Sequence, residues 1–149
     1  MKTSQKGIDL IKEFESLSLT AYLCPASVWT IGWGTTKGVT QGMRITQQQA
    51  EDLFAEDLAE FEGYINKYVK RKLNQNQFDA LVSFVYNVGV GNLLKSTLLK
   101  LVKANPNDEG IAAQFGQWIY AGGKKSNGLR RRRQREAELY FTKVEDEEV

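Results

Sequence analysis

A glutamate, a cysteine and a threonine near the start of this chain have the types and spacing that could do chemistry. Glu15, Cys24 and Thr30 lie in the stretch FESLSLTAYLCPASVWTIGWGTT, residues 14–36. The chain has one cysteine and no histidine, which excludes an internal disulfide, a Cys/His metal site and the histidine-dependent triads of serine and cysteine hydrolases. Acid–base chemistry must therefore fall mostly to carboxylates, and Glu15 is the candidate proton donor.

The residues from 29 to 34 alternate between bulky and small side chains. This alternation predicts a strand whose tryptophans and isoleucine share one face, which can be buried. The other face carries Thr30, Gly32 and Gly34. Because the two glycines have no side chains, this face would let a large ligand approach the backbone closely.

The stretch resembles the phage-type lysozymes of glycoside hydrolase family 24. The likeness rests on Glu15, eight residues, Cys24, five residues and Thr30, flanked by FE-x-L-x-L-x-A-Y and T-I-G-x-G. Three later segments resemble the family in the same order: LNQNQFDALVSFVYNVGVG at 73–91, STLL at 96–99 and GLRRRRQREAELY at 128–140. Several motifs in register are far more specific than an isolated Glu-x8-Cys, and they cover nearly the whole chain.

The resemblance implies an endo-acting muramidase that hydrolyses the β-1,4 bond between N-acetylmuramic acid and N-acetylglucosamine, with inversion and without metal or cofactor. It implies that Glu15 is the general acid of a Glu–Asp/Cys–Thr triad, that Cys24 and Thr30 position the attacking water, and that Arg132 reaches Glu15 across the cleft. Gly32 and Gly34 are then candidate contacts to the sugar. A helix C-terminus and burial both favour the protonated form of a carboxyl group, whereas a neighbouring arginine opposes it.

Two positions depart from the family pattern. Cys24 stands where most members carry aspartate, and Thr35 stands where many carry histidine. Cys24 either becomes a thiolate near positive charge or remains a polar neighbour of the water, and a small buried hydrophobe is the third interpretation. Thr30 could equally be an ordinary strand threonine, and Thr35 is not predicted to be catalytic. The tryptophans Trp29, Trp33 and Trp118 are predicted to be core residues before sugar contacts.

The bulk composition is that of one soluble globular domain covering residues 1–149, with 42% hydrophobic and 26% charged residues. No apolar run is long enough to span a membrane, and no signal peptide is visible. We therefore expect synthesis in the host cytoplasm, delivery through a holin-type hole or another route, and action on cell-wall glycan strands as a monomer. Residues 1–66 carry a net charge of −4, residues 67–144 carry +10 and the last five carry −4. A basic second half suits an anionic polymer.

The periodicity and capping patterns predict an α+β, lysozyme-like fold. A small strand lobe (about 15–45) and a larger helical lobe (about 70–144 plus the N-terminal helix) are joined by a long helix, with the cleft between them and an acidic tail at 145–149. Predicted helix starts are Ser4, Thr46, Asn74, Ser96 and Asp108, each acting as an N-cap, and a last helix is predicted from about 129 to 141.

Two other functions compete with the muramidase. A catalytically weak or inactive lysozyme-like module would bind peptidoglycan without cutting it, and the departures at Cys24 and Thr35 favour that interpretation. Binding of nucleic acid through Arg130–Arg133 and Arg135 is the third candidate. The acidic neighbours Glu136 and Glu138 and the lack of a groove-entering motif count against it, so no nucleic-acid partner is predicted.

Overall fold

Seven helices and two short antiparallel hairpins make up the computed structural model, which describes residues 1–144. They are α1 Gln5–Glu15, β1 Ser18–Leu23, β2 Trp29–Gly32, α2 Gln47–Tyr68, α3 Gln75–Val88, α4 Val90–Lys95, α5 Thr97–Ala104, α6 Ile111–Phe115, β3 Tyr120–Ala121, β4 Lys124–Lys125 and α7 Asn127–Tyr140. Strand β1 pairs with β2, and β3 pairs with β4. The predicted acidic tail, 145–149, lies outside the described residues. In the described part of the chain, no helix has both the length and the apolarity that crossing a membrane requires.

Three of the predicted N-caps are confirmed. The Thr46 hydroxyl accepts a hydrogen bond from the backbone N–H of Gln49 (3.1 Å), and the Gln49 side chain accepts one from the Thr46 N–H (2.8 Å). Asn74 and Gln77 form the same reciprocal pair at the start of α3, and Ser96 caps α5. These capping boxes satisfy backbone donors that the first helical turn leaves free.

Of the other two predicted caps, Asp108 is wrong, and Ser4 occupies the N-cap position of α1 without capping the helix through its side chain. Helix α6 begins after Gly110, and Asp108 accepts from the Gly110 N–H (2.8 Å) in the preceding turn instead. Ser4 precedes α1, but its hydroxyl donates to the buried Asp79 of α3, and its backbone N–H donates to the same carboxylate (3.0 Å). A tertiary hydrogen bond thus replaces the local cap. It ties α1 to α3 and helps to fix where α1 delivers its last residue.

Helix α3 is the centre of the core. It packs against α1, α2 and α7, and residues 76–86 are all buried. Phe84 contacts Phe115 and Trp118 edge-to-face, with ring centroids 5.6 and 6.0 Å apart. Trp118 and Trp33 are half-buried and pack against this core. Because α1 and α7 rest on the same rigid helix, residues far apart in sequence can meet with little freedom.

The strand region differs from the prediction after Gly32. Strand β2 ends there, and Ile31 and Thr35 exchange two backbone hydrogen bonds (2.9 and 2.8 Å) as the chain reverses over residues 32–34. The expected alternation up to residue 34 is therefore wrong at its end. Helix α4 and the β3–β4 hairpin were not predicted; the hairpin lies in a segment whose composition is typical of a polar loop.

Candidate active site

Glu15 is the last residue of α1 and lies at a cleft of about 1650 Å³. Ser16 follows it with a φ of 55°, so the chain leaves the helix directly after Glu15 and enters β1. The walls of the cleft come from the end of α1, the β1–β2 hairpin, the middle of α2, the end of α3, the segment around β3, and α7. The Glu15 side chain keeps 18% of its surface exposed, so the carboxyl group is accessible from the cleft and otherwise shielded.

Arg132 of α7 holds the carboxyl group of Glu15. Its Nη1 donates to Glu15 Oε2 (2.9 Å), its Nη2 donates to the carbonyl of Ser83 (3.0 Å), and its Nε donates to Glu136 Oε2 (3.2 Å). The Arg132 side chain is only 3% exposed. With every guanidinium nitrogen engaged, the planar fork cannot rotate without breaking a buried bond. Glu15 is thus held in one orientation.

Arg133 and Glu136 complete a buried cluster of charges behind Arg132. Arg133 Nε lies 2.7 Å from Glu136 Oε1 but is not aligned for a hydrogen bond, whereas its Nη2 donates to Oε2 (3.1 Å). Burial lowers the pKa of Arg133, and the charge of Glu136 opposes that change. The guanidinium also lies over the ring of Phe84, 5.1 Å from its centroid. The cluster holds two buried cations and one buried anion, so it presents positive charge to Glu15.

The burial of Arg132 and Arg133 also bears on nucleic-acid binding. Of the run Arg130–Arg133, only Arg130 and Arg131 remain exposed, and Arg135 pairs with Glu13 at 2.7 Å. Arg132 and Arg133 are buried, so the run does not form a continuous basic surface.

Antiparallel pairing brings Cys24 and Thr30 to the same wall of the cleft. Tyr22 of β1 is the cross-strand partner of Thr30 in β2, and Cys24 follows two residues after Tyr22. Cross-strand partners and residues two apart share one face of a hairpin, and all three line the cleft. The charges of Glu15 and Cys24 add to burial in raising the pKa of Tyr22. Tyr22, Cys24 and Thr30 therefore line the same cleft as Glu15.

The surroundings of Cys24 favour its thiolate form. Burial raises the pKa of Cys24, but polar groups around the sulfur outweigh burial: the backbone of Val28 and of Ala26, and the Thr30 hydroxyl. The net effect is a pKa below the ordinary value for a thiol. Thr30 has one hydroxyl hydrogen, which it donates to the carbonyl oxygen of Val28 (3.0 Å). The Val28 carbonyl and the Cys24 sulfur therefore compete for this hydrogen. Hydrogen-bond donors, rather than the cation that the sequence suggested, lower this pKa.

The two glycines predicted to contact sugar have different surroundings. Gly34 lines the cleft, and a Cβ atom placed on it would lie 2.9 Å from Glu15 Oε1. Gly32 is buried and faces Ile45 and Ala50, outside the lining of the cleft. Gly34 therefore makes room for the oxygen of Glu15 that Arg132 does not hold, whereas Gly32 faces Ala50 of α2, away from the lining of the cleft, which argues against a contact with sugar.

Known proteins resemble this chain in both sequence and fold. The family model described as phage lysozyme matches residues 12–136. The chain belongs to the phage lysozyme family. It is a lysozyme-type hydrolase, and the predicted α+β, lysozyme-like fold is confirmed. The endolysin of Acyrthosiphon pisum secondary endosymbiont phage 1 is 43% identical over 145 residues, covering 94% of this chain and 98% of the relative.

Two solved structures are similar over nearly their whole length. The endolysin from Escherichia coli O157:H7 phage FAHEc1 is 43% identical with a TM-score of 0.83, and the match covers 97% of this chain and 96% of that one. The muramidase domain of SpmX from Asticaccaulis excentricus is 35% identical with a TM-score of 0.84, covering 95% and 99%.

Gly34→Ala should impair the enzyme by displacing Glu15. Gly34 has a φ of +93°, so alanine strains the backbone, and its Cβ would collide with Glu15 Oε1. We expect kcat to fall about 10- to 100-fold, because a small displacement of the candidate proton donor would be costly, and stability to fall by about 1–2 kcal/mol. Kinetics of reducing-end release and urea unfolding would measure the two effects.

Gly42→Ala is the matched control, since Gly42 has a φ of +82° and no atom lies within 4 Å of the place that an alanine Cβ would take. It should reproduce the loss of stability and spare kcat. Equal loss of kcat in both variants would show that backbone strain, not contact with Glu15, explains the result.

Thr35, the second departure from the family pattern, is a buried donor to an aspartate in the cleft wall. Its hydroxyl donates to Asp57 Oδ2 (2.7 Å), and Thr35 is 3% exposed. Asp57 lies on α2 and lines the cleft. Burial raises the pKa of Asp57, the Thr35 hydrogen bond lowers it, and the charges of Glu60 and Glu56 raise it further, for a net increase. The charge of Lys37 also lowers the pKa of Asp57, but within residues 1–144 Asp57 forms no salt bridge.

Asp57→Asn should stabilise the enzyme at neutral pH. Because the native pKa is raised, the folded state holds this proton more tightly than the unfolded chain, and ionisation of Asp57 costs stability. Asparagine removes that cost and can still accept from Thr35. With allowance for solvent screening we expect about 0.5 kcal/mol in the free energy of unfolding at pH 7. The gain should disappear as the pH falls below about 4, where aspartate is protonated in both states. Urea titrations at pH 7 and at about pH 3.5 would test this, and a loss of stability at pH 7 would contradict it.

Two functional neighbours were not found from sequence. Asp57 sits among ordinary polar positions of an amphipathic helix, so no pattern marks it. Tyr86 lies on the apolar stripe of α3, yet its hydroxyl donates to the carbonyl of Trp33 (2.6 Å) and so holds the turn that contains Gly34. Burial and the charges of Glu15 and Asp57 raise its pKa. Only the folded chain shows that it serves the site as well as the core.

Proposed function

We propose that this enzyme hydrolyses the β-1,4 bond between N-acetylmuramic acid and N-acetylglucosamine in bacterial peptidoglycan, with Glu15 as general acid. The observation that carries the proposal is the arrangement of the Glu15 carboxyl group. Arg132 fixes Oε2 at 2.9 Å, and Oε1 lies against Gly34, which offers no side chain. One oxygen is thus anchored and the other is free to reach a ligand in the cleft.

Glu15 Oε1 delivers its proton to the glycosidic oxygen as the bond from that oxygen to the anomeric carbon breaks. The leaving sugar departs as an alcohol, and positive charge develops on the anomeric carbon and ring oxygen. Arg132 stabilises the carboxylate that Glu15 becomes.

Water attacks the anomeric carbon from the face opposite the leaving group, which inverts the configuration. Cys24 and Thr30 lie on one wall of the cleft and are proposed to hold this water. A Cys24 thiolate accepts the proton that the water loses, in place of the second carboxylate usual in inverting enzymes. The lowered pKa of Cys24 supports this role.

Variants of Cys24 separate the proposed roles. Cys24→Ser should lose most activity, about 10²-fold or more, because a hydroxyl is neutral and a poor proton acceptor. Cys24→Asp should retain most activity, because a carboxylate both accepts a proton and stabilises positive charge. Initial rates of reducing-end release at pH 7 decide the question, and full activity of Cys24→Ser would show that Cys24 only packs.

The whole proposal is tested by incubating the protein with purified peptidoglycan. We expect new reducing ends, and borohydride reduction should convert N-acetylmuramic acid, not N-acetylglucosamine, to its alcohol. Protein that sediments with the walls but releases no reducing ends would favour the competing interpretation, a peptidoglycan-binding module without activity.

We further propose that the enzyme acts as a monomer on wall glycan, in the periplasm or outside the cell, after holin-dependent delivery. One chain supplies both walls of the cleft, so a second copy is not needed to complete it. Sedimentation equilibrium at micromolar concentration would test the monomer.

A further inference from the structure

A second depression in the surface lies where α2 ends beside α5. It has a volume of about 510 Å³, and its lining consists of Lys67, Tyr68, Lys70, Arg71 and Lys103. None of these residues lines the cleft that holds Glu15. Four of the five are cations and none is an acid. We refer to these five residues as the α2–α5 basic site.

The segment that leaves α2 holds its cations at the surface. Val69 and Leu73 are both buried in the hydrophobic core, and they anchor the short connection to α3 at its two ends. Lys70, Arg71 and Lys72 lie between these anchors, and all three are exposed. Burial of the flanking apolar residues therefore fixes a run of three cations in water.

Helix α5 presents further positive charge to the same region. Leu99 and Val102 are buried, whereas Lys100 and Lys103 are exposed. Residues three apart on a helix share one face, so the two lysines lie on the side of α5 that faces solvent. Lys103 lines the depression, and Lys100 lies one turn earlier on that side.

The positive charge of this region is not balanced locally. The sequence from 67 to 104 contains seven lysines and arginines and one acidic residue, Asp79. Asp79 is buried and accepts a hydrogen bond from the backbone N–H of Ser4 (3.0 Å). Within residues 1–144, none of the four cations of the α2–α5 basic site forms a salt bridge. Like charges placed together repel each other, so an anion that enters the depression would relieve this repulsion.

Helix dipoles explain only part of this arrangement. Lys67 and Lys103 lie in the last turns of α2 and α5, where a cation complements the negative end of the helix dipole. Lys70 and Arg71 follow the end of α2 and have no such role. Their presence in the same depression indicates a site for an anionic ligand.

The side chains of the site distinguish among polyanions. The segments 67–72 and 97–104 contain none of the large hydrophobic side chains that are exposed, so the site has no apolar face to insert into a lipid bilayer. Proteins that bind single-stranded nucleic acid stack bases on aromatic rings. Here the ring of Tyr68 is half-buried, and the Lys67 ammonium lies over it, 5.2 Å from its centroid. The site thus favours a flexible chain of phosphates that carries neither acyl chains nor bases.

We propose that the α2–α5 basic site binds a phosphodiester polymer of the bacterial cell wall, of the poly(glycerol phosphate) class. Its phosphates contact Lys70, Arg71 and Lys103, and the bound polymer keeps the enzyme on the wall while the cleft acts on glycan. The site and the cleft share no lining residue, so one ligand does not exclude the other. The inference rests on the proposed function only for the place where the enzyme meets this polymer.

The triple variant Lys70→Gln/Arg71→Gln/Lys103→Gln tests the site. The probe is purified poly(glycerol phosphate), titrated into wild type and variant in a calorimeter at about 0.1 M salt. We expect the variant to bind at least about 10-fold more weakly, because each lost phosphate contact also loses the release of counterions. Thermal unfolding shows whether the variant folds. If it does not, Arg71→Gln alone replaces it, with an expected loss of about threefold in affinity, and unchanged affinity overturns the proposal.

The matched control is Lys6→Gln/Arg44→Gln/Lys95→Gln. It removes the same total charge from three exposed cations that lie outside both linings. Its affinity for the polymer should stay within about twofold of wild type, because it loses only long-range attraction that salt screens. An equal loss of affinity in both triple variants, or no binding of the polymer by wild type, overturns the proposal.

Two further probes identify the class of ligand. Wild type should bind vesicles of phosphatidylglycerol and single-stranded DNA more weakly, per phosphate, than poly(glycerol phosphate). Tighter binding of either probe overturns the assignment to a wall polymer. Failure of the proposed function would appear differently, as a wild-type protein that binds the polymer but releases no reducing ends from peptidoglycan.

Discussion

Glu15→Gln should abolish hydrolysis of peptidoglycan while leaving the fold intact. The amide keeps the size of the side chain, and its carbonyl oxygen can still accept from Arg132 Nη1, which donates to Glu15 Oε2 at 2.9 Å. What it cannot do is supply an acidic proton to the glycosidic oxygen. General acid catalysis contributes about 10²–10⁴ to the rates of such reactions, so we expect kcat to fall about 10³-fold or more. Reducing-end release under saturating substrate would measure the loss.

Glu13→Gln is the matched control for that experiment. Glu13 lies on the same helix two residues earlier and also lines the cleft, but its carboxylate is half exposed and pairs with Arg135 at the surface. The rate of hydrolysis by Glu13→Gln should stay within about twofold of the wild-type rate, because exposed ion pairs contribute little to stability. If the Glu15→Gln variant hydrolyses peptidoglycan at the wild-type rate, Glu15 is not the general acid.

Arg132→Met should cost the protein more stability than any other single change considered. Methionine fills a similar volume but leaves Glu136, which has no exposed side-chain surface, without one of its two cations. It also removes the anchor of Glu15 and leaves the Ser83 carbonyl without this donor. Breaking a buried ion pair by removing one partner costs about 3–5 kcal/mol. We expect a loss of that size in the free energy of unfolding and a loss of activity of at least about 10²-fold.

Arg135→Gln serves as the control on the same helix. Arg135 and Glu13 are 2.7 Å apart, but each side chain is 50% exposed, so the change should cost under about 0.5 kcal/mol. A double-mutant cycle between Arg132→Met and Glu15→Ala isolates the contact itself, because alanine, unlike glutamine, cannot accept a hydrogen bond from Arg132. We expect a coupling energy of about 1–2 kcal/mol, and a value near zero would mean that Arg132 supports the core but does not hold Glu15.

The sequence predicted several features because their causes are local. Thr46 with Gln49, and Asn74 with Gln77, satisfy each other's backbone groups within one helical turn, so a short stretch of sequence suffices to place each helix start. Ser4 occupies the predicted N-cap position of α1, but its side chain bonds to a tertiary partner, Asp79. Asp108 is not an N-cap, because its side chain accepts from Gly110 in the preceding turn. Short-range reasoning has no access to such competitors.

The same distinction applies to the site. The spacing of Glu15, Cys24 and Thr30 pointed to the family, and the likeness at the arginine run indicated Arg132 as the partner of Glu15. The roles of Cys24 and Thr30 in positioning water stay predictions. Gly32 shows the limit of reasoning from strand alternation, which predicted that Gly32 and Gly34 share one face. In the structure the chain reverses over residues 32–34, and Gly32 faces α2 instead.

The sequence alone indicated the class of chemistry, since a chain without histidine and with a single cysteine leaves most acid–base work to carboxylates. The sequence also determined the positions of those helices whose N-caps and apolar stripes depend only on residues within the helix itself. The tertiary structure decided which oxygen of the Glu15 carboxyl group is free and that Thr35 donates to Asp57. These depend on how α1, α2, α7 and the hairpins meet around α3, and no spacing along the chain encodes the distances between elements that touch only after folding.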